Sequence, residues 1–327
     1  MSTSTPSAAP AGNPQSSTPT VRGRAVKLIA SDIDGTILSY SSTQSGAVSE
    51  RTVEAFRAAK EAGIFVVLVT GRPVRWLRPI SEKLGTIGPV IASNGAVVYD
   101  LARDRLISEE VMSSESLFAA KDIITSIDPD AAFAAETLDH LHLEEPFIHG
   151  SLFFEKDKRD AAGVSDEELR LGPLDETLER DSLGAARTPG SDVTSDHVSD
   201  RVVKLLAKTN TMDPDEFLHR VQRRAGHLLT ATHSAPGVSL LELSARGVNK
   251  ASSLRRFAAQ KGIGPEEIIA FGDMPNDIEM LQWAGTSWAM ASGHPMAQSA
   301  ATHLAGACDD DGVAAVIEDL LSGSLQP

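Results

Sequence analysis

The chain is nearly without cysteine. Cys308 stands alone among 327 residues, so no intrachain disulfide can form, and a reducing compartment is compatible with that usage. A basic excess is also missing: 30 lysines and arginines face 45 aspartates and glutamates, for a formal charge of −15. That balance excludes a general affinity for nucleic acid or an anionic membrane, although it leaves room for a local basic pocket. No apolar run approaches the roughly 20 residues needed to cross a bilayer. The stretch from Met1 to Thr20 carries no charged side chain and is mostly Ser, Thr, Pro, Ala and Gly. It lacks the basic start and apolar middle of a secretory signal. Its composition predicts a disordered tail over residues 1–22, and cytoplasmic residence follows as the expectation.

What is present is enough for two domains by length, with a 41% hydrophobic content that supports a core. From Val26 onward, apolar strand-like runs alternate with amphipathic helix-like runs. Val26 to Ser31 reads as a buried strand. Ser49 is placed to cap a helix carrying Val53, Phe56 and Ala59 at helical spacing, ending at Gly63. Ile64 to Val69 and Pro89 to Ser93 are further short apolar runs, the first stopping at Thr70-Gly71-Arg72-Pro73. Such alternation predicts an α/β fold, a parallel sheet with helices on both faces, whose ligands sit beyond the carboxyl ends of the strands. The regularity lapses between Ala96 and Leu243, where strand-like runs (Phe147 to Phe154 among them), helix-like runs and a polar stretch from Asp181 to Asp200 predict an inserted α+β domain with a mobile loop. It resumes with a helix at Asn249 to Gln260, a strand at Ile268 to Phe271 and a closing helix from Gly312. The expected division is therefore 1–22 tail, 23–95 with 244–327 core, and 96–243 insertion.

Four segments at the ends of these runs carry chemistry. In Leu28-Ile29-Ala30-Ser31-Asp32-Ile33-Asp34-Gly35-Thr36, two carboxylates one residue apart point to the same side as the strand ends. That placement suits a nucleophilic carboxylate beside an acid/base one with a divalent cation between them; an acidic turn after a buried strand looks the same. Thr70, followed by Gly71, offers a hydroxyl either to a phosphate oxygen or as a simple helix cap. Lys250 opens a helix, where it can neutralise a phosphate and a carboxylate or merely face solvent. Gly272-Asp273-Met274-Pro275-Asn276-Asp277 sets two carboxylates and an amide around a turn, hard oxygen ligands of the kind Mg²⁺ takes.

Together these segments resemble the four signature motifs of the haloacid dehalogenase-type phosphohydrolases: Asp32 to Thr36, Val69 to Arg72, Lys250, and Gly272 to Asp277. The resemblance is to the Cof-type branch, through Ser93-Asn94-Gly95-Ala96, Glu242 to Lys250, Ile269 to Leu281 and Asp311-Gly312-Val313-Ala314. It covers the core on both sides of the insertion and is weak within it. One departure is Ala291-Ser292-Gly293-His294, where the branch commonly has an asparagine. The resemblance implies a Rossmann-like core with an inserted cap. It implies that Asp32 attacks phosphorus, that Asp34 serves as acid and then base, and that Mg²⁺ sits among Asp32, the Asp34 carbonyl and Asp273 with Asp277 in support. Thr70, Gly71, Lys250 and Asn276 would hold the phosphoryl group.

The expected function is a Mg²⁺-dependent phosphatase for a small phosphorylated metabolite, a sugar phosphate first and flavin mononucleotide or a relative second. The alternatives are a phosphomutase on the same fold or a non-catalytic phosphometabolite-binding regulator. No nucleic acid, membrane or protein partner is implied. His140, His142 and His149 fall close together without a cysteine and match no strong metal-ligand spacing. Arg72, Arg75 and Arg78 recur every three residues and read as a solvated helical face, with Arg72 in reach of the first motif's loop. Trp76, Trp283 and Trp288 read as core.

Overall fold

Short apolar runs closed by small or polar residues become strands here because both faces of each run are covered. In the computed structural model the described residues are 19–21, 23–40, 48–85, 88–149, 165–185, 201–233 and 237–325. Thr20–Val21 (β1) and Arg24–Ala25 (β2) pair as an antiparallel hairpin, so the last part of the expected tail has structure; residues 1–18 lie outside the described ones. There follow β3 (Leu28–Ser31), β4 (Phe65–Val69), β5 (Pro89–Ala92), β6 (Val97–Asp100) and β7 (Arg105–Glu109). Then come β8 (Ala132–Glu136), β9 (Leu141–Leu143), β10 (Leu169–Leu171), β11 (Lys204–Lys208), β12 (Leu229–Thr232) and β13 (Leu240–Ala245), and last β14 (Ile268–Gly272), β15 (Thr286–Met290) and β16 (His303–Ala305).

The first sheet runs β16-β15-β14-β3-β4-β5-β6-β7, parallel from β16 to β5 and antiparallel at β6 and β7. Alternate residues of its strands enter different cores, as a strand's geometry requires. Ile29, Val66 and Leu68 pack with Val53 and Phe56 of the helix Glu50–Glu61 and with Ile317 and Leu320 of the helix Gly312–Ser322. Leu28, Ala30, Val67 and Val69 pack on the other side with Leu254 and Phe257 of the helix Lys250–Gln260 and with Met280 and Leu281. Ser49 caps its helix as its sequence predicts, accepting the Thr52 N–H at 3.0 Å. In the central register, Ile29 lies beside both Ile269 and Val66, so Asp32, Thr70 and Asp273 all emerge just past strand ends on one edge of the sheet.

The second sheet runs β10-β9-β8-β11-β13-β12, antiparallel except for β9 with β10. One of its faces is covered by the helices Ser114–Ile127 and Pro214–Ala225, through Leu117, Ile124, Phe217 and Val221 against Phe133, Leu205, Leu241 and Leu243.

Four expectations differ from this. The chain stays on the first sheet through β7 instead of leaving at Ala96, because the tight turn at Ser93-Asn94-Gly95 can join only antiparallel neighbours. The second sheet keeps the chain to Ala245, past the expected boundary at Leu243. Within Phe147 to Phe154, Phe147 belongs to a short helix, Glu145–Ile148, started by Pro146, and residues 150–154 lie outside the described ones. The helix Leu174–Ala185 takes up the start of the expected loop Asp181 to Asp200, of which residues 186–200 also lie outside. Among the described residues no helix is long and apolar enough to cross a membrane.

Candidate active site

Asp32 ends β3 with its N–H on the Phe271 carbonyl at 3.0 Å, which locks β3 to β14 where the two acidic motifs meet. Its buried carboxylate takes a hydrogen bond from Lys250 Nζ at 2.7 Å, and Lys250 also donates to Asp277 Oδ1 at 2.6 Å. The other oxygen of Asp277 accepts the N–H groups of Asp273 and Met274, both at 3.0 Å, and so shapes the turn that presents Asp273. Among the described residues the Asp273 carboxylate receives only neutral donors, Thr36 Oγ1 at 3.3 Å and the Tyr40 hydroxyl at 2.9 Å. Gly35 makes this close approach practicable. Its φ is +75°, and a Cβ there would stand 2.1 Å from Asp273 Oδ2.

Oxygens of Asp32, Asp273 and Asp277 all lie within 4.8 Å of one another, and Lys250 pairs with two of the three, Asp32 and Asp277. Burial, and then Asp277, push Asp273 up to about 7 against the hydrogen bond from Tyr40 and the charge of Lys250. Burial and Asp277 likewise raise Asp32 well above the usual carboxylate range against the pull of Lys250. Burial alone would lower Lys250, but Asp277 and Asp32 outweigh it and hold the lysine above its ordinary value. Fully ionised, the three carboxylates would carry more negative charge than Lys250 balances, and a hard divalent cation is the group such oxygens fit.

Asp34 is arranged differently. Its carboxylate, 23% exposed, is gripped at both oxygens by Arg72, Nε to Oδ2 at 2.7 Å and Nη2 to Oδ1 at 2.6 Å. The Thr70 hydroxyl accepts the Arg72 N–H at 3.0 Å, which holds the loop and leaves the hydroxyl hydrogen to donate elsewhere. The three arginines therefore do not form one solvated face. Arg72 holds Asp34, Arg75 lies largely buried beside Glu168 and Glu136, and Arg78 alone is well exposed. A 3-10 turn, Val74–Trp76, breaks the expected helix there, which begins only at Arg78.

Asn276 meets neither Asp32 nor Asp273; its Nδ2 donates to Asn94 Oδ1 at 3.0 Å. The carbonyl of Gly71 accepts Lys204 Nζ of β11 at 2.8 Å. Burial would lower Lys204, but Glu136 and Glu242 outweigh it and hold it above its ordinary value. The divergent loop passes directly beneath the acidic cluster: His294 N–H donates to the Asp273 carbonyl at 2.7 Å, and a Cβ on Gly293 would stand 2.7 Å from that oxygen. Sequence reasoning missed Tyr40, Asn94, Lys204 and Glu242 as members of the site, and left Arg72 undecided. Asn94 and Glu242 both fall in segments that carry the resemblance, Ser93-Asn94-Gly95-Ala96 and Glu242 to Lys250, but neither was given a role. Trp288 stacks between Phe271 and His303 at 5.6 and 5.1 Å, as a core side chain does.

A family model for haloacid dehalogenase-like hydrolases matches residues 29–317. The chain is 29% identical over 301 residues to a 5-amino-6-(5-phospho-D-ribitylamino)uracil phosphatase of Bacillus subtilis, covering 91% of this chain and 99% of that one. Among solved structures, a protein of Streptococcus mutans superposes with a TM-score of 0.71 at 22% identity, covering 91% of this chain and all of that one. A sugar phosphatase of haloacid dehalogenase subclass IIB superposes at 0.69 with 20% identity over 92% of this chain and all of that one. The two structural likenesses bear on the fold.

Proposed function

Because the chain belongs to the haloacid dehalogenase-like hydrolases, we propose that it is a phosphatase that hydrolyses a small phosphorylated metabolite through an aspartyl-phosphate on Asp32. The observation that carries this reading is the division of labour between two carboxylates from one strand end. Asp32 is buried on Lys250, whereas Asp34 sits at the mouth of the site on Arg72. A carboxylate fixed by a buried lysine is held in one orientation for attack on phosphorus. A partly exposed one can meet the leaving oxygen and then the water. The Arg72 fork takes one lone pair on each Asp34 oxygen and orients the carboxylate, and the second lone pair of each oxygen is left for proton transfer. Thr70 Oγ1, Lys250 Nζ and the Asn276 amide supply donors for the phosphoryl oxygens, where fixed dipoles and charge do most of the catalysis.

The excess negative charge of the Asp32, Asp273 and Asp277 cluster fits Mg²⁺, which Asp32, the Asp34 carbonyl and Asp273 would hold, with Asp277 bracing the turn. When bound it supplies positive charge where the anionic phosphate must approach Asp32. The substrate class proposed is a sugar phosphate or a phosphorylated ribityl compound of the flavin mononucleotide kind. The names of the Bacillus relative and of the subclass IIB neighbour support it.

The test is phosphate release from an aryl phosphate, a sugar phosphate and a ribityl phosphate, with acid quenching to trap label on the protein. Wild type should turn over and carry acid-trapped phosphate. Asp32→Asn, folded by circular dichroism, should carry none and lose roughly three orders of magnitude or more in rate. A folded Asp32→Asn protein with near-normal turnover overturns the mechanism.

A further inference from the structure

The turn after β5 holds three successive residues at positive φ: Ser93 at +48°, Asn94 at +54° and Gly95 at +101°. Two of them are not glycine, and such strain persists only where the surroundings enforce it. Here they do. Ser93 N–H donates to the Arg72 carbonyl and Asn94 N–H to the Thr70 carbonyl, both at 2.9 Å, and the Ser253 hydroxyl donates to the Gly95 carbonyl at 2.6 Å. The conformation aims the Asn94 amide between the two sheets. Its Nδ2 donates to Glu242 Oε2 on β13, and its Oδ1 accepts from Asn276 Nδ2.

An ionised carboxylate only accepts. Facing Glu242, the Asn94 amide therefore has one orientation, with its NH₂ toward the carboxylate and its oxygen toward Asn276. That oxygen in turn draws the NH₂ of Asn276 and so fixes which way its amide faces. Lys204 Nζ lies 3.5 Å from Glu242 Oε1 and 3.2 Å from Glu136 Oε2, and donates to the carbonyl of Gly71, the residue after Thr70. A Cβ on Gly71 would stand 3.1 Å from Glu242 Oε2, so the second sheet is pressed against the loop itself. Asn94, Lys204, Glu242 and Asn276 are all buried.

We propose that Glu242, Lys204 and Asn94 are positioning residues for the phosphoryl site. Glu242 sets the amide of Asn276 through Asn94, and Lys204 fixes the loop that bears Thr70. The inserted segment then builds part of the frame that holds the phosphoryl group, and does not only wall in the leaving group. This rests on the reading of Asn276 and Thr70 as phosphoryl-binding.

The test exploits polarity. Asn94→Asp sets a second carboxylate against Glu242. In Asn94→Asp with Glu242→Gln a donor faces an acceptor again, with the direction reversed. Two readouts are taken: affinity for inorganic phosphate by calorimetry, and kcat on an aryl and a sugar phosphate. Asn94→Asp should lose about tenfold in both readouts, on both esters alike, and the double variant should recover to within about threefold of wild type. Lys204→Met leaves the strained turn untouched and should depress the same readouts in parallel. The proposal is overturned by variants that match wild type, by a double variant no better than Asn94→Asp, or by losses confined to the sugar phosphate. Should wild type bind phosphate and respond to these variants yet turn over no ester, the relay stands and the phosphatase reading falls.

Discussion

Asp32 and Asp34 leave one strand two residues apart and enter different surroundings, and that contrast can be read kinetically. Asp34→Asn removes the group that protonates the leaving oxygen and later activates water, each worth roughly 10²–10⁴ in rate. An aryl leaving group needs little protonation, so the first step should survive on 4-nitrophenyl phosphate while the second fails. Stopped-flow should then show a burst of about one nitrophenolate per Asp34→Asn molecule followed by slow turnover, and no such burst with an alkyl phosphate. A burst equal on both esters, or none on either, would contradict the assigned roles. The Cys308 thiol is held back from ionising. Burial, and then Asp309, push its thiol up to about 12. At this scale the carboxylates and Lys250 were legible because they follow strand ends or open a helix. Tyr40 and Glu242 were not, since their partners lie 233 and 148 residues away; Glu242 begins a segment that carries the resemblance, but nothing in that segment points to Asn94.

The elements were legible where each run announced its own burial. β3, β4 and β14 are continuous apolar stretches, and Ser49 caps its helix as its position predicts, whereas Asn249, expected inside its helix, caps it. β8 is Ala-Phe-Ala-Ala-Glu, with little strand preference of its own, and exists because β9 and β11 pair with it on either side. One side chain adds a polar tie to the apolar packing between helix Ser114–Ile127 and the sheet it covers. Asp128, just past the helix, is buried and accepts the Thr209 hydroxyl, the Thr211 hydroxyl at 2.8 Å and the Asp130 N–H at 3.0 Å. Burial pulls its carboxyl up, but these hydrogen bonds outweigh it and hold it below the usual carboxylate range. A depressed value in the folded chain contributes stability that is present above the unfolded value, near 4, and is lost as pH falls through the folded one. Asp128→Asn should therefore cost about 1–3 kcal/mol in urea unfolding at pH 7. The gap between variant and wild type should narrow steadily below pH 4, and a gap that does not change with pH would assign the cost to packing.

Across the whole molecule, the acidic cluster joins segments more than 200 residues apart: Asp32 from one side of the insertion, Lys250, Asp273 and Asp277 from the other. A cation held there binds the folded chain and not the unfolded one. At a hundred times its Kd it should add about 2.7 kcal/mol, a rise of several degrees in Tm for a chain of this size. Mg²⁺ should raise the Tm of wild type, EDTA should reverse it, and Asp273→Asn should show no shift. An equal rise in that variant would place the cation elsewhere. The alternation of strands and helices made the first sheet legible as a whole, but the exit point was misjudged by two strands because β6 and β7 return antiparallel. The point of re-entry has a consequence of its own. Glu242 in the middle of β13 and Lys250 at the head of the next helix share one short piece of chain, turned at Gly247 with φ +80°. One end is tied to Asn94, the other to Asp32 and Asp277, and between them the carbonyl of Asn249 lies where a Cβ on Gly95 would come within 2.3 Å. The segment works as a ruler between two anchored points. A residue gained or lost there would put either the amide relay or the nucleophile's lysine out of phase, so in this turn it is length, more than composition, that the chemistry constrains.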